Sequence, residues 1–202
     1  MSSGYALAKR TLDLVGAGLG LTLGAPALAA SAIAIKLDDN GPVLFRQERV
    51  GRDGQIFEVL KLRTMIVDAH TQGAGFAVDK GDSRITRIGT FLRRTSLDEI
   101  PQLWNVLRGE MSLVGPRPTL SYQVEQYTDE QRRRLTVPPG LTGWAQVNGR
   151  ASLSWPERIE LDVWYVEHRS FALDLRILAR TVLVLLRPGS VYRSETGGWR
   201  AP

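Results

Sequence analysis

The stretch Thr95-Ser-Leu-Asp-Glu-Ile-Pro-Gln-Leu-Trp104 sets two carboxylates, Asp98 and Glu99, between a pair of arginines and a proline. Pro101 has no backbone N–H and is tolerated only in the first turn of a helix. The pattern therefore predicts a helix that begins here with Asp98 as its N-cap. A competing start would use Ser96 as the cap and Glu99 as the partner of a capping box. We prefer the Asp98 start, because the other places Pro101 deeper in the helix.

Two interpretations of the acidic pair follow from this stretch alone: a helix cap with a solvated neighbour, or carboxylates that perform chemistry. A carboxylate at a helix N-terminus and close to arginines is expected to stay ionised. The chain has no cysteine and only two histidines, which excludes thiolate chemistry and argues against a zinc site or a histidine-based triad. Acid–base or nucleophilic work would fall to carboxylates, and any metal would be a hard cation on oxygen ligands.

The composition is that of one domain with a hydrophobic core. Of 202 residues, 43% are hydrophobic and 23% are charged, and the net charge of +5 is carried mainly by arginine. Arginine forks suit phosphates and anionic headgroups. The charge therefore indicates a nucleic acid, a phosphorylated substrate or a membrane surface as partner, and does not choose among them.

Residues 14–35 carry no charged side chain and are long enough to span a bilayer as a helix. Pro26 lies in the middle of this segment, which predicts a break or a sharp kink. Basic residues flank both ends, Lys9 and Arg10 before and Lys36 after, and this favours keeping both flanks on the cytoplasmic side. A re-entrant helix-break-helix hairpin satisfies both observations. A simple span and a buried core helix are the alternatives.

Two β-rich runs, residues 43–50 and 55–63, surround an Asp-Gly turn and predict a β-hairpin. Lys61 and Arg63 alternate onto the same face of the second strand. They either point two cations at one site or are solvated edge residues that discourage aggregation. Residues 66–83 show little periodicity and are predicted to form a mobile loop.

Further cations follow the hairpin. Arg93 directly precedes the acidic stretch, and Arg117 is held between two prolines, so its backbone has little freedom left to lose on binding. Residues 120–135 predict an amphipathic helix with a basic end. Residues 173–186 predict an apolar helix that lies either in the headgroup plane or in the core.

A Gly/Asn-rich loop over residues 141–150 contains an aromatic residue, Trp144, and a cation, Arg150. Such a loop could stack a base and contact a phosphate, or it could be simple turn chemistry.

The combination of these features suits phosphoryl transfer at a membrane surface. The sequence has no Gly-rich phosphate loop, no dinucleotide fingerprint and no Cys/His metal spacing. A diphosphate needs cations and usually Mg²⁺ to spread its charge, and a carboxylate can serve as metal ligand or nucleophile. The competing class is a non-enzymatic, basic, membrane-bound scaffold or nucleic-acid-binding protein. It does not account for an acidic pair set among cations.

Four motifs resemble the bacterial sugar transferase family, the small monotopic phosphoglycosyl transferases. They are Lys61-Leu-Arg-Thr-Met65, Ser96-Leu-Asp-Glu-Ile-Pro-Gln-Leu103, Met111-Ser-Leu-Val-Gly-Pro-Arg-Pro118 and Pro139-Gly-Leu-Thr-Gly-Trp-Ala-Gln-Val-Asn-Gly-Arg150. They occur in the order found in the family, and the likeness runs from Lys9-Arg10 to about Arg187. The departures are mild: Leu62 stands where Phe is frequent, Glu110 where Asp is frequent, and Ala25 where Ser often precedes the proline.

The resemblance implies transfer of a phosphosugar from a UDP-sugar to polyprenol phosphate with release of UMP, a first membrane step of glycoconjugate or exopolysaccharide assembly. Asp98 would attack the β-phosphorus and form a covalent intermediate in a ping-pong scheme, and Glu99 would hold Mg²⁺ or steer the lipid phosphate. Either carboxylate could be the more direct metal ligand. Arg117 looks like a phosphate clamp, with Lys61 and Arg93 as further contacts. A polytopic-type transferase would need many more membrane segments.

The expected fold class is α+β: a mainly helical monotopic membrane protein. It would combine an N-terminal re-entrant helix broken at Pro26, a small β-hairpin, and amphipathic interfacial helices around the active site. Lys9 and Arg10 would lie at headgroup level. The expected units are residues 1–37 in the membrane, a catalytic domain over 38–187 and a polar tail over 188–202. The chain would be a minimal catalytic form, without the additional N-terminal membrane helices of larger relatives.

The expected location is the bacterial inner membrane, with the catalytic domain on the cytoplasmic face. The expected partners are a UDP-sugar, polyprenol phosphate and membrane lipids, without nucleic acid. Pairing into a homodimer through the apolar C-terminal helix is left open. The sugar is not readable from the sequence.

Overall fold

One long helix lies against a body of shorter helices and two small sheets in the computed structural model, which describes residues 3–71, 81–149 and 152–186. The chain is mainly helical and also contains small β-sheets, and this combination confirms the α+β class. In order, the elements are α1 (Ser3–Asp39), β1 (Leu44–Val50), β2 (Ile56–Leu62), α2 (Arg87–Thr95), α3 (Gln102–Arg108), β3 (Ser112–Val114), α4 (Ser121–Val124), α5 (Asp129–Arg132), β4 (Gly140–Thr142), α6 (Trp144–Asn148), α7 (Trp155–His168) and α8 (Phe171–Leu186).

The predicted hairpin is confirmed. Strands β1 and β2 pair antiparallel from Leu44 opposite Leu62 to Val50 opposite Ile56. The Asp53-Gly54 turn has positive φ at both residues, 54° and 81°, which is the geometry that Asp-Gly hairpin turns favour. A second, parallel sheet pairs β3 with β4, and α8 contacts both of these strands.

Helix α1 is continuous through Pro26, so the predicted break into two helices is wrong. Contacts on both sides of the proline explain the continuity. Before it, Gly20 lies against Leu103, and after it, Ile35 packs in a cluster with Leu92. Because both flanks are held along one body, the N–H that Pro26 lacks is not enough to separate them.

The glycines of α1 are contact positions rather than a helix-breaking signal. Gly16, Gly20 and Gly24 recur every four residues and form one stripe of the helix. A Cβ at Gly16 or Gly20 would lie 2.6 or 2.7 Å from a leucine side chain of the body, and one at Gly24 would lie 3.3 Å from Ile100. The stripe therefore lets α1 approach closely.

The opposite face of α1 is apolar and open. By length and composition the helix could cross a membrane, and only 11% of its apolar 18-residue window is buried. Large side chains such as Leu23 and Leu37 are 79% and 83% exposed. Further exposed apolar side chains lie on other helices, among them Phe91, Trp104, Val182 and Leu183. A buried core helix is therefore excluded for α1.

Lys9 and Arg10 are turned toward the body of the protein. Lys9 Nζ donates to Val114 O at 2.9 Å and to the Asp174 carboxylate at 3.0 Å. Arg10 donates to the carbonyls of Val106 and Leu107, at the C-terminus of α3, where a cation is favoured by the helix dipole. Their predicted place at headgroup level stays a prediction.

Residues 120–135 do not form the single amphipathic helix that the sequence predicts. They divide into α4, α5 and a 3-10 turn over Arg133–Thr136. Thr128 is the reason: its side chain and that of Gln131 form a capping box that starts a new helix. Ser154 and Glu157 form a capping box at the start of α7, and the predicted apolar C-terminal helix is confirmed as α8.

The predicted unit boundaries stay predictions, and the polar tail over 188–202 lies outside the described residues. Helix α1 extends two residues past the proposed boundary at 37, and Ala17 of α1 belongs to the main hydrophobic core.

Candidate active site

The two carboxylates lie at a corner between α2 and α3. Helix α2 ends at Ser96, whose φ of 58° turns the chain, and a 3-10 turn over Leu97–Glu99 follows before α3 begins at Gln102. Pro101 is the N-cap of α3, so the prediction of Asp98 as N-cap is wrong. The competing Ser96 box is not formed either, because the Ser96 side chain makes no capping hydrogen bond. The corner leaves both carboxylates available for other contacts.

Asn105 fixes this corner against the hairpin. The side chain is 1% exposed, accepts from the backbone N–H of Leu60 at 3.1 Å and donates to the carbonyl of Glu58 at 2.7 Å. An amide can make this pair of bonds because it carries both donor and acceptor groups. The contact sets the end of β2 beside the 3-10 turn.

Glu99 is held by two cations from different elements. Its Oε1 accepts from Lys61 Nζ at 2.8 Å and from Arg117 Nη2 at 2.6 Å. Burial opposes ionisation, but Arg117 and Lys61 outweigh it and hold the pKa of Glu99 well below its usual range. Glu99 is therefore a permanent anion that joins β2 to the Pro-Arg-Pro loop after β3.

Asp98 differs from its neighbour in having no hydrogen-bond donor among the described residues. It is 8% exposed, and burial raises its pKa to about 6. Lys61 opposes this shift, and the charge of Glu99 adds to it. Asp98 is thus harder to ionise than its expected place at a helix N-terminus implied. A buried carboxylate with open lone pairs is a candidate nucleophile.

Further arginines surround the pair. Arg93 lies in the last turn of α2 and donates from Nε to Thr64 Oγ1 at 2.8 Å. Its charge, like that of Arg117, lowers the pKa of Asp98. Arg49 of β1 lines the cavity that is described below. Burial and the charge of Arg117 lower the pKa of Arg49 to about 10. Arg49 was not among the predicted site residues; the alternation of β1 places it on the more covered face of that strand, with Gln47.

Three predicted binding residues have other surroundings. Arg63, which follows β2, also lines the cavity described below, but its side chain is 6% exposed and forms an ion pair with Asp39 at the end of α1, so Lys61 and Arg63 have different partners. Trp144 is stacked on Trp164 with ring centroids 5.0 Å apart, and it does not line the cavity described below. Arg150 lies outside the described residues.

A cavity of about 990 Å³ opens beside Asp98. One part of its lining is cationic and includes Lys61, Arg93 and Arg117. Another part is apolar and lies next to α1 and α8; it consists of Ile100, Leu103, Leu113, Leu141, Leu178 and Leu185. A molecule with a phosphate end and an apolar end would find complementary surfaces within this one cavity.

The acidic pair offers the carboxylate oxygens that would suit a magnesium ion. Within residues 3–71, 81–149 and 152–186 there is no cluster of three or more acidic or histidine side chains that could hold a metal. Mg²⁺ usually needs only one or two carboxylates when substrate phosphates and water complete its shell. Asp98 and the second oxygen of Glu99 would be the protein ligands, since Glu99 Oε1 is already engaged.

Residues 4–188 match a sequence family described as Bacterial sugar transferase. A UDP-glucose:undecaprenyl-phosphate glucose-1-phosphate transferase of Caulobacter vibrioides is 46% identical over 92% of this chain and 72% of its own length. A UDP-galactose-lipid carrier transferase of Erwinia amylovora is 43% identical over 91% of this chain and 41% of its own length. An N-acetylgalactosaminephosphotransferase of Aeromonas hydrophila, named for UDP-N-acetylgalactosamine and undecaprenyl phosphate, is 40% identical over 90% of this chain. The chain spans about two fifths of the Erwinia and Aeromonas proteins.

Proposed function

The chain belongs to the bacterial sugar transferase family, and we propose that it transfers a phosphosugar from a UDP-sugar to a polyprenyl phosphate with release of UMP. The observation that carries this proposal is Asp98. It is a buried carboxylate that accepts no hydrogen bond from the described residues and borders a cavity that is cationic at one side and apolar at another. The names of the relatives above support the two substrates.

In the first step, an Asp98 carboxylate oxygen attacks the β-phosphorus of the UDP-sugar. A bond forms between that oxygen and phosphorus, and the bond from phosphorus to the bridging oxygen breaks, so UMP leaves with the bridging oxygen and its electron pair. Lys61, Arg93 and Arg117 stabilise the charge on the phosphate oxygens during this exchange. The product is a phosphosugar ester of Asp98.

In the second step, a phosphate oxygen of the polyprenyl phosphate attacks the same phosphorus and releases the Asp98 carboxylate. The scheme lets two chemically different substrates use one site in turn. Bound Mg²⁺, held by Asp98 and the second oxygen of Glu99, would supply further charge neutralisation for the diphosphate.

Glu99 organises the cations and takes no part as a nucleophile. Its Oε1 accepts hydrogen bonds from both Lys61 and Arg117, which spaces the two cations around one anion. A pKa well below the usual range keeps this anion in place throughout the pH range in which enzymes work. The role of the pair is thus divided: Glu99 sets the electrostatic frame, and Asp98 reacts.

The apolar exterior supports a monotopic arrangement on a membrane. Both ends of α1 contact the same body, through Lys9 at one end and through the Arg63–Asp39 ion pair at the other. A helix standing upright in a bilayer could not touch a domain on one side of the membrane at both ends. We place the exposed apolar face of α1 and α8 in the cytoplasmic leaflet of the inner membrane, where a lipid phosphate can reach Asp98.

The test is a UMP-release screen over a panel of UDP-sugars with detergent-solubilised protein and a polyprenyl phosphate. We expect sugar-dependent release of UMP and formation of a polyprenyl-diphospho-sugar, both lost on chelation of divalent cations. Release of UDP instead of UMP would contradict the proposal, because it would place the bond cleavage at the sugar carbon rather than between the phosphates.

A further inference from the structure

The loop that carries Arg117 is held at the backbone carbonyls of residues 116, 117 and 119. Prolines at 116 and 118 remove the backbone donors on either side of Arg117. The carbonyl of Pro116 accepts from the N–H of Gly140 at 2.8 Å, and that of Thr119 accepts from the N–H of Val50 at 2.8 Å. The carbonyl of Arg117 itself accepts from a side chain, Arg134 Nη2, at 2.8 Å.

Arg134 is itself fixed on two sides. Nη1 donates to the Tyr127 hydroxyl at 2.6 Å, and the guanidinium forms an ion pair with Asp162 of α7. The side chains of both partners are only 3% exposed. A rigid, buried fork therefore connects α7 to the backbone of the residue that holds Glu99.

Stabilisation of the fold is a weak explanation for a buried ion pair such as Arg134 and Asp162. Removing two charges from water costs nearly as much as their attraction returns, and apolar replacements of buried ion pairs are often neutral or stabilising. A guanidinium does something that apolar side chains cannot, since it donates to an anion, a hydroxyl and a carbonyl at fixed angles. Its distinctive effect here is geometric.

We propose that the Arg134–Asp162 pair is a positioning device that sets the Arg117 backbone for phosphate binding. The inference rests on the proposed function, in which Arg117 contacts the transferred phosphate. If Arg134 no longer donates to the Arg117 carbonyl, the guanidinium of Arg117 shifts relative to Glu99 and Asp98. A displacement of about 1 Å in a catalytic group can cost on the order of 100-fold in rate.

The test variant replaces both members, Arg134→Met with Asp162→Leu, so that no buried charge is left alone. We expect a folded protein with a UMP-release rate lowered by about 10- to 100-fold. The loss should disappear when the same pair is replaced in an Arg117→Ala background, because both changes remove one interaction. If replacing the pair lowered the rate by the same factor in the wild-type and the Arg117→Ala backgrounds, the proposal would be overturned. A wild-type rate in the Arg134/Asp162 double variant would overturn it as well.

A matched control uses the neighbouring pair. Arg133 and Glu167 link the same two elements, the 3-10 turn over Arg133–Thr136 and α7, at 2.7 Å, but Arg133 has no contact with Arg117. Replacing them with Gln should leave the rate within about twofold, as expected for an exposed ion pair. A loss equal to that of the buried pair would show that general docking of α7 matters, and would overturn the positioning role.

The division of the loss between kcat and KM gives a readout that simple destabilisation does not move. If Arg134 and Asp162 act through Arg117, the Arg134/Asp162 variant and Arg117→Ala should divide their loss between kcat and the KM for the UDP-sugar in the same way, whereas a smaller folded fraction lowers kcat and leaves KM unchanged. A loss confined to kcat in one variant and shared with KM in the other would count against the proposal.

A conservative variant covers the case in which the double variant does not fold. Arg134→Lys keeps the charge beside Asp162, yet one ammonium cannot reproduce the three-sided contact. It should lose rate in the same direction, and full activity of Arg134→Lys would overturn the inference. Failure of the proposed function is a separate result, because the wild-type protein would then release no UMP.

Discussion

Two buried carboxylates in this molecule stand beside lysines, and their surroundings differ in one respect. Asp174 is fully buried and accepts hydrogen bonds from Tyr5 at 3.1 Å, Lys9 at 3.0 Å and Tyr165 at 2.7 Å. Asp98 is 8% exposed and accepts none among the described residues. A saturated carboxylate fastens α1 to the body, whereas an unsaturated one at the edge of a cavity retains the lone pairs that a nucleophile needs.

Replacing each carboxylate in turn is the strongest test of this difference between Asp98 and Asp174. Asp98→Asn should lower UMP release on the order of 10⁴-fold or more, as loss of a nucleophile does. Its thermal stability should be equal or higher, because an ionised, unpaired carboxylate no longer has to be buried. Robust residual activity in a folded Asp98→Asn protein would remove the nucleophile assignment.

Asp174→Asn should give the opposite pattern. It removes the carboxylate that pairs with the Lys9 ammonium at 3.0 Å, and breaking one partner of a buried pair costs about 3–5 kcal/mol. We expect a large drop in the unfolding midpoint, while the rate per folded molecule stays within a few-fold of wild type. A catalytic defect without loss of stability would show that the two carboxylates are not divided in this way.

Arg117→Ala tests the cationic frame around Asp98. We expect kcat/KM for the UDP-sugar to fall by about 10²- to 10³-fold, the usual effect of removing one donor to developing charge. Arg108→Ala is the control, since this exposed arginine pairs only with Glu110 among the described residues. A loss of less than about tenfold would indicate that Arg117 is structural.

The pH dependence of the rate and of the stability tests the nucleophile assignment of Asp98 further. The single-turnover rate should fall about tenfold per pH unit below the Asp98 pKa of about 6, because only the carboxylate attacks. Since the folded pKa lies above the unfolded one, Asp98 destabilises the fold increasingly as the pH rises from about 4 to 6. The stability gained by Asp98→Asn should therefore be larger at pH 8 than at pH 5, and the reverse order would contradict the assignment.

The smallest expected effect concerns the docking of α1. In Gly20→Ala the new Cβ lies 2.7 Å from Leu103 Cδ1, and crowding of this kind costs about 1–3 kcal/mol, here toward the low end because a leucine tip can move. Gly18→Ala meets nothing within 4 Å and should be neutral or stabilise by up to about 1 kcal/mol. Equal effects on the unfolding midpoint would argue that α1 does not pack along this stripe.

The proximity of three candidate site residues was easier to predict from the sequence than their local structure. Lys61, Glu99 and Arg117 are brought together as expected from the motifs. The N-cap prediction for Asp98 failed because Pro101 can cap α3 without a side-chain hydrogen bond and a 3-10 turn can precede it. Propensity at a helix start does not decide between such neighbouring solutions.

Contacts between distant segments account for the remaining differences. Alternation along β2 placed Lys61 and Arg63 on one face, but Arg63 lies just past the strand and pairs with Asp39, far away in the sequence. Pro26 indicated a break, and tertiary contacts on both of its sides keep α1 helical. The pair of Arg134 and Asp162 gave no signal, because nothing in the sequence shows that 28 positions of separation become one buried contact.

The most direct test of the central claim is to trap the intermediate on Asp98. The protein is incubated with a UDP-sugar and no polyprenyl phosphate, and peptides are mapped by mass spectrometry. If Asp98 is the nucleophile, we expect a single turnover of UMP release and a phosphosugar on the peptide that contains Asp98. Addition of polyprenyl phosphate should remove this phosphosugar from the peptide. UMP release that strictly requires the acceptor, with no adduct at any time, would contradict the nucleophile assignment, because the lipid phosphate would then attack the UDP-sugar directly.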